Sequence, residues 1–340
     1  MKRILIVNVN WIGDVIFSTP FIRAVREAYP DGYIACLVHP RAREILELNP
    51  ALNEIIIYDE EGEHRSPVGK LKLILCLKKK KFDMAFLLHR SFTKALITFL
   101  AGIKERAGYP SKSRARLLTK CIEEPSEEIH KVDYFLGIAG SCGIAPKGDY
   151  YEFFINDLHR NYIAELLRKE GVSGKDAIVV LCPGGNWDPK RWGKENFAKL
   201  ADNLCEKYGA KVVMSGAKRD LKLAEEIRGM MKNISIITCG RTGLKEAAAL
   251  FERSSLVVAN DTGTMHLAVA MKAKTIALFG PTSPHLTGPR GDGIYSVISK
   301  NDICDIPCYD FTCKDNRCMA LITVEDVMQA AAGFLTQNSK

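Results

Sequence analysis

Short aliphatic runs alternate with longer amphipathic stretches along almost all of the 340 residues, and this rhythm constrains the fold more than any other feature. Arg3–Asn8 reads as a strand and Asp14–Ala28 as a helix, with Val15, Ile22, Val25 and Tyr29 inward and Arg23, Arg26 and Glu27 outward. Tyr29-Pro30-Asp31-Gly32 ends that helix. Tyr33–Val38 and Glu54–Tyr58 are the next strands, with a helix over Arg41–Leu48 between them. Phe82–Leu88 and a helix from Ser91 continue the pattern. Residues 144–176 interrupt it with Pro146, Gly148, a short strand at Tyr151–Asn156, a polar helix and Gly171-Val172-Ser173-Gly174. It then restarts with strands at Ala177–Leu181, Lys211–Met214, Ile234–Thr238, Leu256–Ala259 and Lys274–Phe279. Glu195–Tyr208 carries an apolar stripe. A last helix begins at Thr323, with Thr323 and Asp326 as a capping box.

Strands alternating with helices predict parallel sheets covered on both faces. The restart after the joint predicts two doubly wound α/β domains with a cleft between them. The boundaries are 1–165 for the first domain, 166–322 for the second and 323–340 for a C-terminal helix returning to the first. Ligands in such sheets lie beyond the carboxyl ends of the strands.

Composition narrows the function. No run reaches about 18 apolar residues, so no membrane span is expected, and the apolar run after Lys2-Arg3 is too short for a signal peptide. A cytoplasmic protein is the expectation. The net charge is +8. Lys78–Lys120 alone holds twelve lysines and arginines against Asp83 and Glu105, which predicts an anionic partner. Lys78–Lys81 reads as solvated surface, whereas Arg90, Lys94, Arg106, Arg114 and Arg116 are interleaved with turn residues and several could face the cleft. The segment lacks interleaved aromatics or a reading motif, so nucleic acid is not expected. Seven of eleven cysteines lie in apolar or helical contexts. The other four, Cys304, Cys308, Cys313 and Cys318, could hold zinc, stay free or form a redox disulfide.

Four segments carry the chemistry. Asn8–Asp14 follows the first strand, with Gly13 for a tight turn and Asp14 as either a helix N-cap or a general base. One glycine there is too few for a dinucleotide fingerprint, and no Walker-type loop or His-Glu-x-x-His motif occurs. Cys182–Gly193 follows the first strand of the second half. There Gly184 and Gly185 offer backbone N–H groups to an anion beside Asn186, and Lys190 or Arg191 can neutralise phosphate. Asn260–His266 passes from a strand into a helix. The N–H groups of Thr262, Gly263 and Thr264 form an anion site, and Asp261 and His266 are either contacts or merely a cap and a core residue. Phe279-Gly280-Pro281-Thr282-Ser283-Pro284 adds turn chemistry at the next strand end.

Together these motifs resemble family 9 glycosyltransferases, the ADP-heptose:lipopolysaccharide heptosyltransferases, and most closely the heptosyltransferase II subgroup. The likeness rests on Gly13-Asp14-Val15 with Thr19-Pro20, Pro183-Gly184-Gly185 through Lys190-Arg191-Trp192, Asn260-Asp261-Thr262-Gly263 with His266, and Phe279-Gly280-Pro281-Thr282 through Thr287-Gly288-Pro289. It implies a GT-B fold of two Rossmann-like domains and inverting transfer of heptose from an ADP-sugar to the phosphorylated inner core of lipopolysaccharide. The alternative is a GT-B transferase or epimerase using another nucleotide sugar. No cofactor is required in such enzymes. By that likeness Asp14 and Lys190 are catalytic, and Gly185, Asn186, Asp261, Thr262, Gly263, Thr264 and His266 bind donor. Gly13, Arg90, Arg114 and Arg116 are candidates for the acceptor. Peripheral contact with the cytoplasmic face of the inner membrane would follow. One departure stands out: where some relatives place a ribose-binding glutamate, this chain has Lys218-Arg219-Asp220 after Gly216-Ala217.

Overall fold

The computed structural model describes residues 1–300, 304–308 and 310–335. It divides into two compact units, Met1–Phe154 and a second beginning at Ile155. The first holds a six-stranded sheet of β1 (Arg3–Val7), β2 (Tyr33–Val38), β3 (Glu54–Ile57), β4 (Met84–Leu87), β5 (Glu105–Gly108) and β6 (Lys120–Cys121) in the order β3-β2-β1-β4-β5-β6. The second holds β7 (Ile178–Cys182), β8 (Lys211–Met214), β9 (Ile236–Ile237), β10 (Leu256–Asn260), β11 (Thr275–Phe279) and β12 (Tyr295–Ser299) in the order β12-β11-β10-β7-β8-β9. Every pairing is parallel. The central strands are apolar on both faces because helices cover both: β7, β10 and β11 are buried at every position. Strand order reverses between β1 and β4 in one sheet and between β7 and β10 in the other, and these switch points are where such sheets bind ligands.

The differences from the sequence reading have local causes. The helix expected over Asp14–Ala28 is two, Ile12–Phe17 and Thr19–Ala28, because Pro20 cannot donate the backbone bond that would join them. The strand read at Tyr151–Asn156 does not form: the segment carries no regular secondary structure. Helix Pro67–Lys79 and strand β12 have no counterpart in the reading. The expected boundary at 165/166 falls inside helix Asp157–Lys169, which packs on Leu244–Arg253 and so belongs to the second unit. The last helix, expected on the first domain, is built into the second core. Over Val324–Leu335 it packs on Lys194–Tyr208 and buries Val327, Met328, Ala331 and Leu335 there. Its capping box forms as read: Asp326 N donates to Thr323 Oγ1 at 3.1 Å, and Thr323 N to Asp326 Oδ2 at 2.9 Å. The expected extension to residue 340 lies outside the described residues. Among the described residues, no helix is long and apolar enough to cross a membrane.

Much of the basic segment is consumed by the fold. Arg114 is fully buried and donates to backbone carbonyls alone: Tyr109 O from Nε at 3.0 Å and from Nη2 at 2.5 Å, Leu87 O at 3.5 Å, and His89 O. A planar guanidinium with five donors suits this task, tying the ends of β4 and β5 together. A Cβ on Gly108 would lie 2.9 Å from Arg114 Nη2, so the backbone must be bare there. Arg106 is likewise spent on Ile103 O and Leu117 O. Arg114 is therefore corrected from acceptor candidate to internal brace. Arg114→Met should lower the unfolding free energy by roughly 3 kcal/mol, because it orphans buried carbonyls. Denaturant melting checks this, and an unchanged midpoint would contradict the brace.

Candidate functional site

In the second unit, three strand ends converge at the switch point. The loop after β7 brings Lys190, the end of β10 brings Asp261, and the turn after β11 brings Thr282. Lys190 Nζ lies 2.7 Å from Asp261 Oδ2, and Thr282 Oγ1 donates to the same oxygen at 2.6 Å. Asp261 is buried and Lys190 partly so. His266 is buried with Nε2 3.9 Å from Asp261 Oδ1. Asp261 is thus not a helix cap. Thr262 is the N-cap of helix Gly263–Ala270, and its hydroxyl is bonded to that of Thr264 at 2.7 Å. The first N–H groups of that helix, at Gly263 and Thr264, are ones a helix cannot satisfy internally.

The loop after β7 is stitched to β10 by one buried side chain. Asn260 donates from Nδ2 to Pro183 O at 2.9 Å and Gly184 O at 3.3 Å, and accepts from Trp192 N at 3.1 Å. Trp192 Nε1 in turn donates to Ile322 O at 2.8 Å. Arg191 donates to Gly185 O from Nε at 3.1 Å and Nη2 at 2.5 Å, so Arg191 orients the loop. Gly185 is buried beside Thr262, and its Cβ would meet Thr262 Cγ2 at 3.4 Å. Asn186 is exposed and takes a bond from Arg219.

Asp220 resolves the Lys218-Arg219-Asp220 departure. It turns inward, accepts from Ala217 N at 2.9 Å, and fills the space beneath two glycines. A Cβ on Gly184 would fall 2.5 Å from its carboxyl carbon, and one on Gly216 2.9 Å from Oδ2. The two glycines of separate loops are required by one buried carboxylate.

In the first unit, Asn10, Glu60 and Lys94 meet at the carboxyl ends of β1, β3 and β4. Lys94 is buried and donates from Nζ to Asn10 Oδ1 at 2.6 Å and Asn8 O at 3.4 Å. Asn10 Nδ2 donates to Glu60 Oε1 at 2.7 Å. Burial lowers the Lys94 ammonium to about 8, against the opposing pull of Glu60 and Cys36. Burial, aided by Lys94, lowers His89 to about 4. Asp14 lies half-buried in the first turn of helix Ile12–Phe17, whose N-cap is Trp11, so the capping role read for Asp14 is corrected. Gly13 precedes it in the same turn. Arg90 pairs with Glu124 at 2.7 Å, and Arg116 is exposed. Glu60 and Thr282 do not stand out as site residues in the sequence. Thr282 sits in a turn already singled out, but nothing in the spacing links Glu60 to Asn10.

Cys304, Cys308, Cys313 and Cys318 are free thiols, ranging from exposed to buried. Among the described residues, no group of three or more His, Cys, Asp or Glu side chains could hold a metal. The zinc reading of this cluster therefore finds no ligand set.

Residues 70–317 match the model of glycosyltransferase family 9 (heptosyltransferase). Lipopolysaccharide heptosyltransferase 2 of Escherichia coli K12 is 28% identical over 307 residues, covering 84% of this chain and 85% of that protein. The solved structure of E. coli ADP-heptose LPS heptosyltransferase II is 26% identical with a TM-score of 0.83, covering 100% of both chains. That of a family 9 glycosyl transferase from Veillonella parvula is 24% identical with a TM-score of 0.92, covering 99% of this chain and 98% of that one. The fold is the GT-B fold of these structures, with a Rossmann-like domain in each unit.

Lys94 yields a pH signature. From about pH 8 up to the ordinary lysine range near 10.4, the unfolded chain keeps a proton that folded Lys94 has released, so this group makes stability rise with pH across that window. Lys94→Met removes the rise. The stability difference between wild type and variant should move by about 3 kcal/mol in favour of wild type between about pH 7 and pH 10. A flat difference in urea titrations would contradict the burial of a charged Lys94.

Proposed function

The chain belongs to glycosyltransferase family 9, and from that premise we propose that it transfers a heptose from ADP-heptose to the inner core of lipopolysaccharide with inversion at the anomeric carbon. The observation that carries the reading is the Lys190–Asp261–Thr282 cluster beside the start of helix Gly263–Ala270. A departing diphosphate needs positive potential that is already in place, and a lysine next to a helix N-terminus supplies it. The second unit binds the donor through Gly185, Asn186, Asp261, Thr262, Gly263, Thr264 and His266. Thr262 and Gly263 are nearest the free helix start, Asn186 lies at the exposed edge, and His266 acts from behind Asp261.

The first unit binds the phosphorylated core acceptor, with Gly13, Arg90 and Arg116 as contacts. Asp14 is the general base. The acceptor hydroxyl oxygen attacks the anomeric carbon as the bond to the diphosphate breaks. The hydroxyl proton passes to Asp14, and ADP leaves with its charge balanced by Lys190. One base and no covalent nucleophile suffice for a single displacement. Lys94, through Asn10 and Asn8, holds the loop that delivers Asp14. Activity is expected at the cytoplasmic face of the inner membrane, and the names of the matched relatives support the substrates.

Asp14→Asn should reduce transfer by roughly 10²–10⁴-fold while ADP-sugars still raise the melting temperature as they do for wild type. Near-normal turnover would remove the base assignment. Stabilisation by UDP- or GDP-sugars instead would redirect the reading to another nucleotide. Consumption of donor without acceptor, seen by chromatography, would favour an epimerase.

A further inference from the structure

Helix Pro67–Lys79 is apolar on both of its faces. Leu73 and Leu77 are buried in the core against the sheet, while Val68, Leu71 and Leu75 point the opposite way and are exposed. The neighbouring helix Phe92–Leu100 repeats the arrangement. It buries Ala95 and Ile97 and exposes Phe92, Phe99 and Leu100. These six outward side chains range in exposure from 45% at Phe92 to 64% at Val68. Clustered exposed apolar residues of this size mark an interaction surface.

The charges around the stripe say what covers it. Residues 67–82 contain six lysines and no aspartate or glutamate. Lys72 and Lys79 lie on the outward face itself, flanking Leu75 and Cys76 around a shallow depression. Lysine stems run along apolar surface and carry their ammonium groups outward. Lys80 at the edge of the depression is paired with Glu54, which leaves Lys72 and Lys79 as the outward charges among the aliphatic side chains of this helix, and such a face complements an anionic headgroup layer over a hydrocarbon interior.

We propose that the outward face of helices Pro67–Lys79 and Phe92–Leu100 docks the protein on an anionic lipid bilayer, with Leu71 and Leu75 entering the interface and Lys72 and Lys79 meeting headgroup phosphates. Docking here deepens the reading of activity at the cytoplasmic face of the inner membrane and rests on it for its purpose. Its test, however, does not depend on turnover.

The full chain is sedimented with phosphatidylcholine vesicles, with and without phosphatidylglycerol, at low salt. Wild type should partition onto the anionic vesicles. Leu71→Ser with Leu75→Ser should weaken that binding by about tenfold or more, and Lys72→Glu with Lys79→Glu by roughly tenfold. Both pairs are on the surface, so their melting temperatures should match wild type. The inference is overturned if wild type stays in the supernatant with anionic vesicles, or if either double variant sediments like wild type. It is equally overturned if the leucine variant converts a wild-type dimer into a monomer, since the face would then belong to a second copy. Vesicle binding by a chain that transfers no heptose would contradict the functional reading and leave the docking surface standing.

Discussion

A single carboxylate organises the second unit's strand ends. Asp261 is buried at the end of β10 and collects Lys190 from one neighbouring loop and Thr282 from the other. A buried charge is tolerated only when paired and hydrogen-bonded, so the two loops are obliged to meet it. This arrangement preorganises the lysine. It stands at a fixed point beside the N-terminus of helix Gly263–Ala270 before any ligand arrives, so little reorganisation is left for a reaction to perform. Asp220 organises the adjacent strand ends in a similar way, where its carboxyl occupies the space that side chains at positions 184 and 216 would need.

The alternation of strands and helices is legible because parallel sheets demand continuous apolar strands, and β2, β8, β10 and β11 emerge within a residue of their reading. The reading fails where one residue overrides a periodic pattern or where the pattern itself is ambiguous. Pro20 splits a helix whose apolar spacing runs straight through it. Helix Pro67–Lys79 is hidden in the sequence because apolar residues on both faces leave no stripe to detect, and the lysines at its end look like plain surface. The cluster around Asp261 is half legible. Lys190 and Asp261 stand out in separate loops, but their contact depends on β7 and β10 being neighbours, and that is a property of topology.

Charge is the least legible feature. A run of basic residues states how many cations exist and says nothing of what each one does. Arg106 and Arg114 tie up carbonyls within the first unit, Arg90 meets Glu124, and Lys94 is drawn inside to hold the loop after β1. Lys78 and Lys79 stay outward on helix Pro67–Lys79, and Lys104, Arg116 and Lys120 are exposed elsewhere on the first unit. One stretch of sequence thus serves as brace, loop support and surface, and only burial and hydrogen bonding separate these roles.

The central claim is that Lys190, fixed by Asp261, meets the diphosphate of the donor. Titration calorimetry of ADP and of adenosine against wild type and Lys190→Ala tests it most directly. A charge-assisted contact of this kind predicts ADP affinity lower by about tenfold or more in the variant, with adenosine binding unchanged. Equal ADP affinity in the two proteins would contradict it.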